Sequence, residues 1–252
     1  MSFFEVSDLS LAFGGVRALD GVDFSVERGQ VFAIIGPNGA GKTTILNVIT
    51  RVFTPAAGRV VLDGLDITGL ARHRVAAAGV ARTFQNIELF EGATVADNLL
   101  LGRHRFDHGS VLAQVFNAGS VRAREDASRE RIEALIDFLD LAPHRNARVA
   151  SLPYGVRKVV ELARALATEP TLLLLDEPAS GLNPEETRDL AFWIDDIRHE
   201  LGVTIVMIEH DMSLVAEVAD QVLAMNLGRA IAQGTSAEVR AHPEVIASYL
   251  GA

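Results

Sequence analysis

The sequence predicts the α/β fold class: a mostly parallel sheet carrying a phosphate-binding loop, an N-terminal antiparallel β-subdomain, and an inserted α-helical subdomain. Three observations carry that expectation. Residues 31–35, 171–176 and 203–208 are short runs that are apolar on both faces, as central parallel strands are. The first of them feeds Gly36-Pro37-Asn38-Gly39-Ala40-Gly41-Lys42-Thr43, followed by Thr44, which fits G-x-x-x-x-G-K-[ST]. From about Asn86 to Leu141 the strand signals vanish and helical spacing replaces them.

The bulk properties bound the function classes. A chain of 252 residues has room for one large domain, or for a core with a lobe attached. Hydrophobic residues at 49% and charged residues at 22% are ordinary for a globular protein. A net charge of −10 argues against nucleic acid or an anionic membrane surface as the main partner. Zero cysteines removes disulfides and thiolate metal sites and suits a reducing cytosol. The seven histidines are scattered, so no structural metal is expected. No run approaches the ~18 apolar residues of a membrane span, and Met1 to Glu5 lacks the basic flank of a secretory signal.

In chain order, Phe4-Glu5-Val6, Leu9 to Phe13 and Val22 to Val26 read as short strands punctuated by Gly14-Gly15, Gly21 and Gly29. Phe13, at a strand end, is either a stacking platform for a flat base or a core residue. After the phosphate loop, Ile45, Leu46 and Ile49 have helical spacing, predicting a helix over residues 43–50. Arg59 to Gly64 reads as a strand and turn, and Val80 to Gln85 as a strand ending in Gln85. Thr94 caps a helical stretch with Val95, Leu99 and Leu100, and Arg122 to Leu141 is a long amphipathic helix. A further helix is expected from Arg157 to Leu166. Asn183-Pro184-Glu185-Glu186 is a helix start, with a capping Asn, Pro at the first helical position and acids at the dipole's positive end. That helix stops at Gly202. A strand pair around Gln221 to Asn226 and Arg229 to Ala232, then short helices, completes the chain.

The loop's chemistry follows from its residue types. Gly36, Gly39 and Gly41 permit turns that let successive N–H groups point at phosphate oxygens, and the following helix offers its positive end. Lys42 is placed to reach β- and γ-phosphates and Thr43 to ligate Mg²⁺. The pattern arises by chance in roughly one chain in a hundred of this length, and strand before and helix after lower that further. A nucleoside triphosphate site is predicted. In an open parallel sheet, ligands gather at the carboxyl ends of strands, where Gln85, Asp176-Glu177 and Glu209-His210 also fall. Asp176 is expected to hold Mg²⁺ through water, Glu177 to polarise the attacking water, and His210 to hydrogen-bond the γ-phosphate.

Taken together, these motifs resemble the ATP-binding cassette family, the ATPase subunits of ABC transporters, over nearly the whole chain. The resemblance implies a P-loop NTPase (RecA-like) core over residues 1–88 and 159–252, and an inserted helical subdomain over 89–158 that carries the signature loop at its end. It implies ATP and Mg²⁺ as the cofactors, Phe13 as the adenine platform, and Gln85 as the residue linking Mg²⁺ and γ-phosphate to the lobe. Asp176 and Glu177 become the acidic pair, His210 the switch histidine, and Ser180-Gly181-Leu182-Asn183 the counterpart of the family's Ser-Ala-Leu-Asp loop. Such cassettes work as head-to-tail dimers in which one subunit's signature caps the other's phosphate loop.

The signature departs from the family's Leu-Ser-Gly-Gly-Gln: here it is Leu152-Pro153-Tyr154-Gly155-Val156. Pro153 offers neither a hydroxyl nor a backbone N–H, and each lost charge-assisted bond is worth roughly 1.5–3 kcal/mol. A site completed by this signature is therefore expected to be weak or slow.

Within the family, the sequence is most similar to the ATPase subunits of branched-chain amino acid importers. The likeness rests on Ala81 to Gln85, Leu89-Phe90, Leu152-Pro153-Tyr154-Gly155, Glu209 to Met212, the ending Pro243 to Gly251, and the extra length between Leu101 and Arg131. It implies a second ATPase subunit, a heterodimer being favoured, together with integral membrane permease subunits and a periplasmic or extracellular substrate-binding protein. It also implies a location on the inner face of the cell membrane, with the permease docking near Ile87, Leu89 and Phe90. A lipid or lipopolysaccharide exporter and a urea or amide importer are the rival cargo readings. A soluble cassette acting on DNA or ribosomes disagrees with the acidic charge and the single cassette.

Overall fold

The computed structural model describes residues 2–103 and 118–250, which divide into two compact units, 1–85 with 171–252 and 86–170. The first unit holds two sheets. In the antiparallel sheet, β1 (Phe4–Phe13), β2 (Val16–Val26), β4 (Ala57–Leu62) and β5 (Leu65–Asp66) run in the order β2-β1-β4-β5. The other sheet has the order β10-β9-β3-β8-β7-β6, built from β3 (Val31–Ile35), β6 (Val80–Arg82), β7 (Leu172–Asp176), β8 (Thr204–Ile208), β9 (Gln221–Asn226) and β10 (Arg229–Gly234). Its pairings from β9 to β6 are parallel and only β10 is antiparallel.

Strands β3, β7 and β8 are buried at every position, which is why their sequences are continuous apolar runs rather than alternating ones. The two sheets share a core in which Phe24 of β2 stacks on Phe32 of β3, centroids 5.1 Å apart, while Phe4 tilts against Phe24 at 6.1 Å. Burying each such ring contributes about 1.5–3 kcal/mol. Register sets the functional edge: Ile34 of β3 and Asp176 of β7 both pair with Ile208 of β8, so the three chains leave the sheet side by side.

Several boundaries differ from the expected ones. β1 is one strand rather than two, because Asp8 takes a left-handed φ of 49° inside an irregular register and the pairing resumes beyond it. β6 ends at Arg82, so Gln85 lies three residues past a strand instead of closing it. Helix α1 occupies Lys42–Ile49, and a short helix α2 (Arg72–Ala77) has too little apolar periodicity to be read from sequence. Helix α6 (Pro184–Glu200) has the expected start: Asn183 accepts from the amides of Glu185 and Glu186, and Glu186 returns a bond to the Asn183 amide. The chain ends in α7 (Met212–Val218), α8 (Ser236–Ala241) and α9 (Pro243–Leu250).

The second unit is helical: α3 (Val95–Arg103), α4 (Ala118–Phe138) and α5 (Tyr154–Leu166). Part of the stretch between Leu101 and Arg131 lies outside the described residues. Fully buried Asn98 pins the turn before α3, accepting from the Phe90 amide and donating to the Phe90 and Thr94 carbonyls. The helix expected from Arg157 begins at Tyr154 instead, with Pro153 at its N-cap. The N-cap lies outside the hydrogen-bonded helix, so a proline there removes no intrahelical bond.

Gly102 permits the close approach of α3 to α5: a Cβ there would lie 2.6 Å from the Arg164 carbonyl oxygen and 3.0 Å from the Ala167 Cβ. We predict that Gly102→Ala destabilises this unit by about 1–3 kcal/mol, read as faster amide hydrogen exchange in α3 and α5. Exchange at the wild-type rate would show that the helices can part without cost.

Candidate functional site

The phosphate loop leaves β3 at Gly36, a position that admits no side chain. Its φ is +146°, and a Cβ there would lie 2.2 Å from the Met225 carbonyl oxygen. Gly41, at φ +99°, is confined in the same way by the Ala18 carbonyl, 2.4 Å from where a Cβ would stand. The Gly228 amide donates to the Ala40 carbonyl at 3.0 Å, fixing the loop to the turn between β9 and β10. Pro37 is half-buried, while Asn38 and Gly39 are exposed and nothing approaches a Cβ built at Gly39. Lys42, Thr43 and Thr44 form the first turn of α1, where backbone amides have no intrahelical acceptor. The result is a loop closed onto a helix N-terminus whose first-turn amides are uncommitted within the helix, suited to an anion.

Lys42 lies across this cradle and donates to the carbonyls of Gly36 (2.6 Å) and Pro37 (3.0 Å). Burial pushes its pKa below the usual lysine value, and the carboxylates of Glu177 and Asp176 oppose that shift. The register that pairs both Ile34 and Asp176 with Ile208 puts the acidic pair beside the strand that feeds the phosphate loop.

Asp176 ends β7 almost fully buried, and its Oδ2 accepts from an Arg82 Nη at 2.7 Å. The other Nη of Arg82 donates to Asn47 Oδ1 at 2.7 Å and to Thr50 Oγ1 at 3.3 Å, both on or next to α1. Arg82 therefore ties the Asp176 carboxylate to the helix that follows the phosphate loop, and its guanidinium also lies 5.1 Å from the Phe84 ring centroid. Glu177 follows with a left-handed φ of +51°, a strained conformation for a side-chain-bearing residue, held by its amide bond to the Ile208 carbonyl at 2.9 Å. Gln85 donates to Glu177 Oε2 at 2.9 Å.

His210 sits just past β8 with its side chain 62% exposed, and its amide donates to the fully buried Glu209 carboxylate. Phe13 ends β1 with 45% of its surface exposed and meets the Phe53 ring edge-on, centroids 5.0 Å apart. In the 180–183 loop, the Ser180 amide closes onto the Glu177 carbonyl and the Leu182 amide onto that of Ala179. The signature residues belong to the helical unit: Leu152 and Gly155 are buried, Val156 half-buried, and Pro153 and Tyr154 exposed. Arg157 fixes that turn by donating to the Leu152 and Ala150 carbonyls. Because α5 starts at Tyr154, the amides of Tyr154, Gly155 and Val156 lie in its first turn.

The donor set of Thr43, Gln85 and Asp176 is hydroxyl, amide and carboxylate oxygen, the hard ligands that Mg²⁺ takes. Sequence reasoning missed the role of Arg82: an arginine before an aromatic carries no motif, and only the pairing of β6 with β7 brings it to Asp176.

Comparison with known proteins gives a consistent picture. The family described as ABC transporter matches residues 19–180, and the family described as branched-chain amino acid ATP-binding cassette transporter matches residues 231–252. The chain is 43% identical over 247 residues to the high-affinity branched-chain amino acid transport ATP-binding protein BraF of Pseudomonas aeruginosa, covering 98% of this chain and 97% of that one. It is 37% identical to the corresponding LivG protein of Salmonella typhimurium, over 98% and 96% of the two chains. Among solved structures, the ADP conformation of an ATP-binding cassette of an ABC transporter superposes with a TM-score of 0.87 at 32% identity, each chain covered completely.

Replacing Arg82 with methionine leaves the buried Asp176 carboxylate without its guanidinium. We expect a stability loss of about 3–5 kcal/mol in urea unfolding at neutral pH; a loss under about 1 kcal/mol would show that the pair is not what holds Asp176 in place.

Proposed function

The chain belongs to the ABC transporter family and is an ATP-binding, ATP-hydrolysing subunit of such a transporter, and we propose that the transporter it drives imports branched-chain amino acids. The observation that carries the cargo reading is the likeness to branched-chain amino acid transport proteins along the whole chain, together with the separate match at residues 231–252. No amino acid contact supports it, because cargo is recognised elsewhere in such a complex. Among the described residues no helix is long and apolar enough to cross a membrane. Its membership of the ABC transporter family implies membrane permease subunits as partners, and we place the chain peripherally on the membrane's inner face. Phe90, 61% exposed beside half-buried Ile87 and Leu89, is our candidate permease contact. A substrate-binding protein completes the importer we propose.

The roles we assign follow the geometry. Lys42 exchanges its two carbonyl partners for β- and γ-phosphate oxygens, and the loop amides take the remaining phosphate charge. Thr43, Gln85 and Asp176 hold Mg²⁺, which when bound neutralises phosphate charge. Glu177 accepts the proton of the attacking water, with Gln85 orienting its carboxylate. His210 projects an exposed ring from a fixed backbone and reaches the γ-phosphate. Phe13 stacks on adenine, with Phe53 bracing it from the edge. Residues 180–183 and the signature 152–156 face a second ATPase subunit.

The Pro153 substitution decides which second subunit. With no amide and no hydroxyl at that position, the signature offers a partner's γ-phosphate only the first-turn amides of α5. A heterodimer with a subunit carrying an intact signature restores the site built on Lys42. The test is Glu177→Gln with Mg-free ATP, its mass measured in solution. This chain alone should bind ATP and stay monomeric, and the wild type alone should turn over well below tens of ATP per second. An ATP-dependent homodimer, or turnover of tens per second by the isolated chain, would overturn the heterodimer.

A further inference from the structure

We propose that Glu209 is a positioning residue for ATP hydrolysis, whose buried carboxylate ties the turn carrying Glu177 to the turn carrying His210. The inference rests on the ATPase reading above and adds a residue to it. Glu209 is wholly inaccessible to solvent, yet the bonds to its carboxylate come from backbone amides of two different loops. Its Oε1 accepts from the Ala179 amide at 2.8 Å. Its Oε2 accepts from the His210 amide at 2.7 Å and the Asp211 amide at 3.0 Å.

Each end of this tie reaches a group assigned to hydrolysis. Ala179 lies two residues past Glu177, whose strained backbone is anchored in front by the Ile208 carbonyl at 2.9 Å. The Ser180 amide then closes the same turn onto the Glu177 carbonyl at 3.1 Å. The end of β8 thus grips the 177–180 turn twice, once through its main chain and once through the Glu209 side chain. On the other side, Asp211 caps α7 by accepting from the amides of Ser213 and Leu214. The His210 backbone is held between two fixed neighbours while its ring stands out from the surface, with Nδ1 3.7 Å from Glu209 Oε2. Hydrogen bonds to a carboxylate are stronger than neutral ones, and a displacement of about 1 Å in a reacting group can cost about 100-fold in rate. A carboxylate suits this position because both of its oxygens accept; the glutamine isostere presents an NH₂ to one of the two loops.

The test uses the assembled transporter, starting from wild-type ATPase activity. A wild-type complex that hydrolyses no ATP would sink the ATPase reading itself. With activity present, Glu209→Gln should lower kcat about tenfold or more while KM and the Kd for a fluorescent ATP analogue stay within about twofold. Adding it to His210→Ala should cost less than the product of the two single losses, because one of the two turns that Glu209 fixes is the one that carries His210. Amide exchange should accelerate in both 177–181 and 209–212. Should Glu209→Gln fail to fold, Glu209→Asp keeps the charge but shortens the reach; it should lose kcat with faster exchange in 177–181 alone. An unchanged kcat in whichever variant folds, multiplying losses with His210→Ala, or a rise in the analogue's Kd parallel to the loss of kcat would each overturn the proposal.

Discussion

Steric crowding behind the phosphate loop is the constraint on which the rest of the site depends. Gly36 is pressed against the Met225 carbonyl and Gly41 against the Ala18 carbonyl, so the loop backbone is wedged between β9 and β2. The Gly228 amide holds Ala40 from the same side, and the Gly228 carbonyl accepts from the Asp20 amide at 2.9 Å. Asp20 in turn pairs with Arg229 and Arg17, and the Arg229 bond holds its carboxyl below the usual range. Both ends of the loop are thus fixed from behind, and the first-turn amides of α1 are left without an intrahelical acceptor. The shape of the loop is a consequence of packing, and Lys42 is laid across it.

A second layer of order comes from charges taken out of water. Arg82 and Asp176 are nearly inaccessible, and Glu209 is completely so. Such groups are tolerable only when paired, and here each has a partner on a neighbouring element. Arg82 reaches Asp176 at the end of β7 and Asn47 on α1; Glu209 reaches the loop after β7. These buried ions link the strand ends into one rim: β6 to β7 and α1 through Arg82, and β8 to the loop after β7 through Glu209. Glu177, with its unfavourable backbone, persists because that rim holds it on both sides.

Much of this was legible in the sequence. The three apolar runs, the glycine-rich loop, the capping Asn183 and the acids after Leu175 announce the sheet and its ligand edge, because each reflects a local rule of burial, turn or cap. What escaped depends on pairing over long separations. Nothing near Arg82 indicates Asp176, 94 residues away, nor does the pair Glu209-His210 reveal that Glu209 turns inward and His210 outward. The start of α5 lies three residues before the expected one: Pro153 sits at the N-cap, where it removes no intrahelical bond and the helix follows directly.

The central claim is that residues 36–44 are a nucleotide cradle in which Lys42 is held by two loop carbonyls that phosphate replaces. Calorimetric titration of Mg-ATP into the isolated wild-type chain and into Lys42→Ala tests it most directly. The account predicts binding by the wild type and at least a tenfold weaker Kd in the variant, a difference of about 1.4 kcal/mol or more. Equal affinities would contradict it, because the nucleotide would then be held somewhere other than the loop around which the sheet edge is built.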